Sequence, residues 1–122
     1  MSKNIILFGA TGSIGTSVLK ILDKTNDEFQ LKGITCNNKI NNLINISNRY
    51  KCNNLGISNQ DLANNENEIL AKKNTVYGIN SFESFINDDI DIYILAISGL
   101  TGASLALKIA ETGKTLAIAN KE

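Results

Sequence analysis

The chain has 122 residues, with 12 Lys and Arg balanced by 12 Asp and Glu, no His, no Pro, no Trp and two Cys. That length fits one domain spanning 1–122, and a 43% apolar share supplies one ordinary core, so neither wholesale disorder nor a charged tail is expected. Zero net charge gives no pull toward nucleic acid or anionic lipid, and the absence of His excludes Ser–His and Cys–His dyads and removes the commonest zinc ligand.

Hydrophobic periodicity alternates between strand-like and helix-like segments from the start. Asn4–Phe8 is a short apolar run stopped by Gly9, hence a buried strand; Ser13–Leu22 is a helix with Ile14, Val18, Ile21 and Leu22 on one face. No small-residue cleavage site follows the first run, and no apolar run approaches the roughly 20 residues of a bilayer span. A cytoplasmic protein with no membrane partner is expected. The turn between strand and helix reads Gly9-Ala10-Thr11-Gly12-Ser13-Ile14-Gly15. At a first strand-to-helix junction this fits a dinucleotide fingerprint. Gly9 permits a tight turn, Gly12 lets backbone N–H groups approach a pyrophosphate, and Gly15 lets the helix pack closely on the strand. The helix N-terminus adds free N–H groups and partial positive charge, and Thr11 and Ser13 add hydroxyls. No Gly-Lys-Ser/Thr ends the loop, which excludes a P-loop; a plain glycine-rich turn is the alternative.

Phe29–Thr35 is a second strand and Ile40–Tyr50 a helix with Ile40, Leu43, Ile44 and Ile46 as its apolar positions. Between them lies Thr35-Cys36-Asn37-Asn38-Lys39, where an Asp or Glu would bind the ribose 2′-OH of NAD and repel a 2′-phosphate. The segment has no acid, its Asn amides can donate to phosphate oxygens, and Lys39 brings positive charge, so NADP is favoured over NAD. A polar loop with Asn37 or Asn38 as helix N-cap is the alternative. Cys36 and Cys52 match no metal-ligand or C-x-x-C spacing and are expected as small, partly buried fillers, Cys36 near a ligand.

Further along, Leu55–Ser58 is a short strand, Asn59–Lys72 a helix carrying Leu62, Ile69 and Leu70, Thr75–Tyr77 a strand, and Ser81–Ile86 a short helix. Ile90–Ile97 is the strongest strand, entered from a solvated loop with Asp88, Asp89 and Asp91. Gly99–Glu111 is a helix with Leu105 and Ile109 inward and Gly113 as its C-cap, and Thr115–Ala119 is the last strand. Frequent Asn pairs fill helix surfaces and loops. Apolar strands alternating with helices predict an α/β class: a Rossmann-like doubly wound parallel sheet with helices on both faces. Ligands of such sheets sit outside the carboxyl ends of the strands, here 9–15, 35–39, 96–102 and 119–122. The small residues of 96–102 would let a nicotinamide or ribose lie against the backbone, and Lys121 could hold an anionic substrate or be a solvated lysine.

The stretches Ile6–Ser17 and Gly113–Glu122, the latter closing on Ala-Asn-Lys-Glu, together resemble the N-terminal, NADPH-binding domain of the 1-deoxy-D-xylulose-5-phosphate reductoisomerase family. The resemblance implies that Thr11, Gly12, Ser13 and Ile14 contact NADPH and that Asn37, Asn38 and Lys39 surround its 2′-phosphate ribose. It places Asn120 and Glu122 at the nicotinamide side and gives Lys121 the role of substrate-binding lysine. The order Asn-Asn-Lys departs from the family's loop, which often ends in Asn. Enzymes of this family rearrange and reduce 1-deoxy-D-xylulose 5-phosphate to 2-C-methyl-D-erythritol 4-phosphate in non-mevalonate isoprenoid biosynthesis. They use Mg²⁺ or Mn²⁺ held in a further catalytic domain, and a homodimer is implied. On this resemblance the 122 residues are a cofactor-binding portion without catalytic residues or metal ligands, its partner a small phosphosugar, and it should expose an apolar surface and self-associate or be marginally stable. A short-chain dehydrogenase is disfavoured, because Tyr50, Tyr77 and Tyr93 are followed four positions on by Asn54, Ser81 and Ile97 in place of the lysine of Tyr-x-x-x-Lys. A non-catalytic NADP-sensing module is the remaining alternative.

Overall fold

Four consecutive apolar residues carry the strand β1 (Lys3–Phe8) through the centre of the fold, Ile5 and Leu7 facing one layer and Ile6 and Phe8 the other. The computed structural model describes residues 2–25, 28–64, 68–97 and 99–119. After β1 come α1 (Ser13–Thr25), β2 (Phe29–Cys36), α2 (Ile40–Tyr50), β3 (Asn54–Ile57), a 3₁₀ helix (Gln60–Asn64), α3 (Glu68–Ala71) and β4 (Asn74–Tyr77). A second 3₁₀ helix (Ile79–Phe85), β5 (Ile92–Leu95), α4 (Gly99–Ala110) and β6 (Thr115–Ile118) complete the order. The six strands form one sheet in the order β4-β3-β2-β1-β5-β6, and every neighbouring pair is parallel. The chain builds outward from β1 to β4, then crosses back to lay β5 on the other side of β1. Crossovers therefore depart in opposite directions from β1 and β5, and the crevice at their carboxyl ends is the switch point of the sheet. The expected Rossmann-like doubly wound sheet is what forms.

Each face has its own core. Leu19 of α1 and Leu43 and Ile44 of α2 cover Ile5, Leu7, Leu31 and Ile34 on one side. On the other, Leu105 and Ile109 of α4 join an aromatic group of Phe8, Phe82, Phe85 and Tyr93, with ring centroids 6.0 to 6.5 Å apart. The 3₁₀ helix explains how two of those rings arrive. With three residues per turn, Ile79, Phe82 and Phe85 lie above one another, and all three face the sheet. Room for the rings comes from missing side chains: a Cβ on Gly56 would sit 2.6 Å from Phe82, and one on Gly33 2.9 Å from Phe85. The Tyr93 hydroxyl, at the far end of the group, accepts the Asn87 N–H at 3.0 Å and donates to the Asn87 carbonyl at 3.1 Å, so its burial leaves no polar group unpaired.

Several predicted elements take a different form. In place of one helix over 59–72 there is a 3₁₀ helix at 60–64 and a short α-helix at 68–71. The side chain of Asn59 accepts the Asp61 N–H at 3.1 Å, an Asx turn that competes with α-helical bonding at this start. The helix expected at 81–86 is the 3₁₀ helix beginning at Ile79. The strand expected over 90–97 is β5 alone, because the apolar run mixes strand with turn: Ile90 is buried from within a turn closed on Asn87, and past Leu95 the pairing among the described residues is down to one bond, from the Ala96 N–H to the Phe8 carbonyl at 2.8 Å. The carboxylate of Asp91 accepts the Asn4 N–H at 2.8 Å, so the acidic loop is solvated but also ties β5 to β1. On α1 the inward stripe is Gly15 and Leu19, flanked by Val18 and Leu22, and Ile21 is 61% exposed, contrary to its predicted inward place. Helix α4 ends at Ala110, and Gly113, expected as its C-cap, takes the left-handed region at φ +74 in the turn that follows.

Candidate functional site

Strand β1 ends against both of its neighbours, and this fixes the glycine turn. The Ala96 N–H donates to the Phe8 carbonyl at 2.8 Å from the β5 side. On the β2 side, Thr35 accepts the Gly9 N–H through its Oγ1 and the Ala10 N–H through its carbonyl, each at 2.8 Å. Thr35 is itself buried. The turn is thus clamped to β2 and β5 by three hydrogen bonds before α1 begins. Gly9 takes a positive φ of +90, and a Cβ there would lie 2.7 Å from the Ala96 carbonyl oxygen. A Cβ on Gly15 would lie 2.2 Å from the Gly9 oxygen. A Cβ placed on Gly12 would meet nothing within 4 Å beyond its immediate chain neighbours. Two glycines are therefore required by the packing of the fold, and the third opens onto empty space.

The Gly12 carbonyl accepts the Thr16 N–H at 2.9 Å and the Thr16 hydroxyl at 2.8 Å, which starts α1 at Ser13. The first-turn N–H groups have no carbonyl partner within the helix, and the Thr11 and Ser13 hydroxyls bond to no other described residue. These donors sit at the mouth of a cleft of about 510 Å³ whose lining includes Gly9, Thr11, Gly12, Asn37, Ala96 and Ile97, with Phe82 and Ile79 forming an apolar wall. Its polar rim and apolar wall suit an extended ligand with an anionic middle.

Beyond β2 the ladder with β3 continues past the strand ends. The Ser58 N–H donates to the Cys36 carbonyl at 2.9 Å and the Asn59 N–H to the Asn37 carbonyl at 3.3 Å. The Ser58 hydroxyl donates to Asn37 Oδ1 at 2.6 Å, and Asn59 Nδ2 donates to Asn38 Oδ1 at 2.7 Å. Neither Asn37 nor Asn38 caps α2. Lys39 stands at the N-cap with no side-chain cap bond, its carbonyl accepting the Leu43 N–H at 3.0 Å. The N-cap alternative for the two asparagines is thereby removed.

Cys36 also lines the cleft, yet it is buried, as is Cys52, and both thiols are free. Burial pushes each from the ordinary 9.0 up to about 11, with a backbone hydrogen bond at Lys39 for Cys36 and at Asn54 for Cys52 acting in the opposite direction. Both shifts favour the neutral thiol in the fold. The stability this contributes is fully present below pH 9 and is lost as pH rises through about 11. Urea midpoints are expected to fall over that window, and to fall less in the Cys36→Ala/Cys52→Ala variant. Equal slopes for the two proteins would contradict the assignment.

Thr11, Gly12 and Asn37 come together on the cleft, Ser13 and Ile14 follow in the first turn of α1, and Asn38 and Lys39 continue the loop beside Asn37. Asn120, Lys121 and Glu122 lie outside the described residues, as does Ser98. The last described bond, from the Ala119 N–H to the Leu95 carbonyl at 2.9 Å, keeps β6 parallel to β5 as far as that point. Periodicity did not single out Thr35, Ser58, Asn59 or Phe82. A threonine at the end of a central parallel strand was a usable signal for the first, since a hydroxyl buried there must find a backbone partner. Among the described residues no three His, Cys, Asp or Glu side chains are placed to hold a metal ion, and no helix is long and apolar enough to cross a membrane.

Comparison with known proteins gives one family. Residues 5–122 match the family described as 1-deoxy-D-xylulose 5-phosphate reductoisomerase. The enzyme of that name from Thermoanaerobacter sp. (strain X514) is 28% identical over 121 residues, covering 98% of this chain and 32% of the relative. A solved structure of the Zymomonas mobilis reductoisomerase in complex with NADPH superposes with a TM-score of 0.87 at 28% identity, over 99% of this chain and 32% of that one. A second, described as holding fosmidomycin and magnesium, gives 0.83 at 25% identity, over 98% of this chain and 31% of that one. The chain thus spans about a third of the length of the relatives it matches.

Proposed function

The chain belongs to the 1-deoxy-D-xylulose 5-phosphate reductoisomerase family, and from that premise we propose that residues 1–122 are the NADPH-binding portion of such an enzyme. The observation that carries this reading is the open space around Gly12, at the head of α1 and beside a β2–α2 loop without an acid. The pyrophosphate lies on the N–H groups of Gly12, Ser13 and Ile14, with Thr11 beside it, where the helix N-terminus favours negative charge. The 2′-phosphate meets Asn37, Asn38 and Lys39. The nicotinamide reaches along Ala96 and Ile97 toward Asn120 and Glu122, and Lys121 holds the phosphosugar.

NADPH supplies hydride when bound; the residues of this chain bind and orient it. In the whole enzyme the reaction is rearrangement and reduction of 1-deoxy-D-xylulose 5-phosphate to 2-C-methyl-D-erythritol 4-phosphate. The family resemblance places the site of the magnesium named for relatives in the catalytic portion of the enzyme. The two free thiols suit the cytoplasm, and Leu107 and Ile118, 69% and 60% exposed on α4 and β6, suit a surface covered in a homodimer or by the remainder of the enzyme. Titration of the chain with NADPH and NADH at fixed ionic strength, followed by heat or fluorescence, tests the reading. NADPH is expected to bind clearly more tightly. A folded chain that binds neither would overturn it.

A further inference from the structure

We infer that Asn59, at the end of β3, is a positioning residue for NADPH selectivity that acts through Asn38; the inference rests on the NADPH reading above. A carboxamide presents either an oxygen or an NH₂ group, and which of the two faces an anion decides between repulsion and attraction. At Asn38 the orientation is settled by a chain of bonds. The Asn59 Oδ1 accepts the Asp61 N–H at 3.1 Å, a donor that cannot reverse its role. Asn59 Nδ2 is thereby directed across the ladder to Asn38 Oδ1 at 2.7 Å. That bond occupies the acceptor of Asn38, and its NH₂ group bonds to no other described residue. Asn38 is exposed, directly follows Asn37 of the cleft lining, and so offers donors at the site where the 2′-phosphate would sit.

The backbone keeps the two asparagines in register. Ser58 and Asn59 donate their N–H groups to the Cys36 and Asn37 carbonyls, so the β3 end moves with the loop it orients. Without Asn59 the Asn38 amide is free to rotate, and half of its orientations turn an oxygen toward the phosphate. NADH has no group at that point and should not respond.

The test is a double-mutant cycle on the full chain, with NADPH and NADH affinities measured for wild type, Asn59→Ala, Asn38→Ala and the double variant. Asn59→Ala is expected to weaken NADPH about fivefold and to leave NADH within about twofold, less than the full loss of one hydrogen bond to a charged group because the freed Asn38 amide still presents its NH₂ group part of the time. In the Asn38→Ala background the same change should have an effect below about twofold. Asn59→Asp keeps the acceptor for the Asp61 N–H, and aspartate supports this turn as well as asparagine does, so it serves if the alanine variant does not fold. Its carboxylate would turn the Asn38 NH₂ inward, and NADPH should weaken more than with alanine, by an amount reduced when Asn38 is absent. If wild type prefers NADPH but Asn59→Ala weakens both cofactors alike, or acts equally in the Asn38→Ala background, the inference fails and the cofactor reading stands. If wild type shows no preference for NADPH, the cofactor reading fails and the inference with it.

Discussion

Replacing Gly12 by alanine is expected to remove NADPH binding by a factor on the order of a hundred or more, with the thermal midpoint lowered by no more than about 5 °C. Beyond its immediate chain neighbours no atom lies within 4 Å of a Cβ placed there, so the fold itself has no reason to reject the methyl group. The cost to the free protein is that of alanine in place of glycine at the start of α1, about 1 kcal/mol or less. The cost to the complex is larger. A methyl group in the path of the pyrophosphate forces it off N–H donors whose bonds to a charged oxygen are each worth about 1.5–3 kcal/mol, and two such bonds already exceed a hundredfold. Gly15→Ala is the contrasting variant. Its Cβ would meet the Gly9 oxygen at 2.2 Å and the Ala10 carbonyl carbon at 2.7 Å, backbone atoms that cannot move without unseating β1 from Thr35. That variant should lose several kcal/mol, a large part of the roughly 5–15 kcal/mol that holds a domain together. Calorimetric melts and NADPH titrations of both proteins separate the roles. Gly12→Ala that melts early, or that binds NADPH normally, would refute the assignment.

The same contrast shows how much the sequence carried. The spacing Gly9, Gly12 and Gly15 after an apolar run located the turn and its ligand class, because a strand end, a close helix and an open approach each require a missing side chain. The acid-free segment from Thr35 to Lys39 was legible for the same reason: charge is visible in a sequence. What was hidden depends on pairing between distant segments. That Asn37 and Asn38 face Ser58 and Asn59 follows from the register of β2 on β3, which no local period encodes. Phe82 and Phe85 fall in the short helix expected over 81–86, but that the element is a 3₁₀ helix beginning at Ile79, whose three-residue repeat stacks Ile79, Phe82 and Phe85 into the space above Gly33 and Gly56, depends on packing that no local period encodes. Ile90 was assigned to a strand because it is apolar, although a turn can bury a side chain equally well.

Introducing an acid at the end of β2 is expected to produce the second large effect. In Asn37→Asp the Ser58 hydroxyl, 2.6 Å from the present Oδ1, would still donate to a carboxylate oxygen, so the loop keeps its bond to β3. The second oxygen would replace an NH₂ donor on the cleft with negative charge. Two unit charges about 4 Å apart interact by roughly 1 kcal/mol even at the dielectric constant of water. A phosphate near charge −2 doubles that to about 2 kcal/mol, and the lost donor adds about 1.5–3 kcal/mol. Together these weaken NADPH by a factor between about a few hundred and a few thousand. The separation is shorter than the Debye length of about 8 Å at physiological salt, so added salt should restore only part of the loss. NADH should bind no worse, and better where the new carboxylate accepts the ribose 2′-OH. The selectivity ratio, measured for wild type and Asn37→Asp at two salt concentrations, is the decisive quantity. An unchanged ratio would mean that the 2′-phosphate lies away from Asn37, and the orientation of the cofactor in the cleft would have to be reversed.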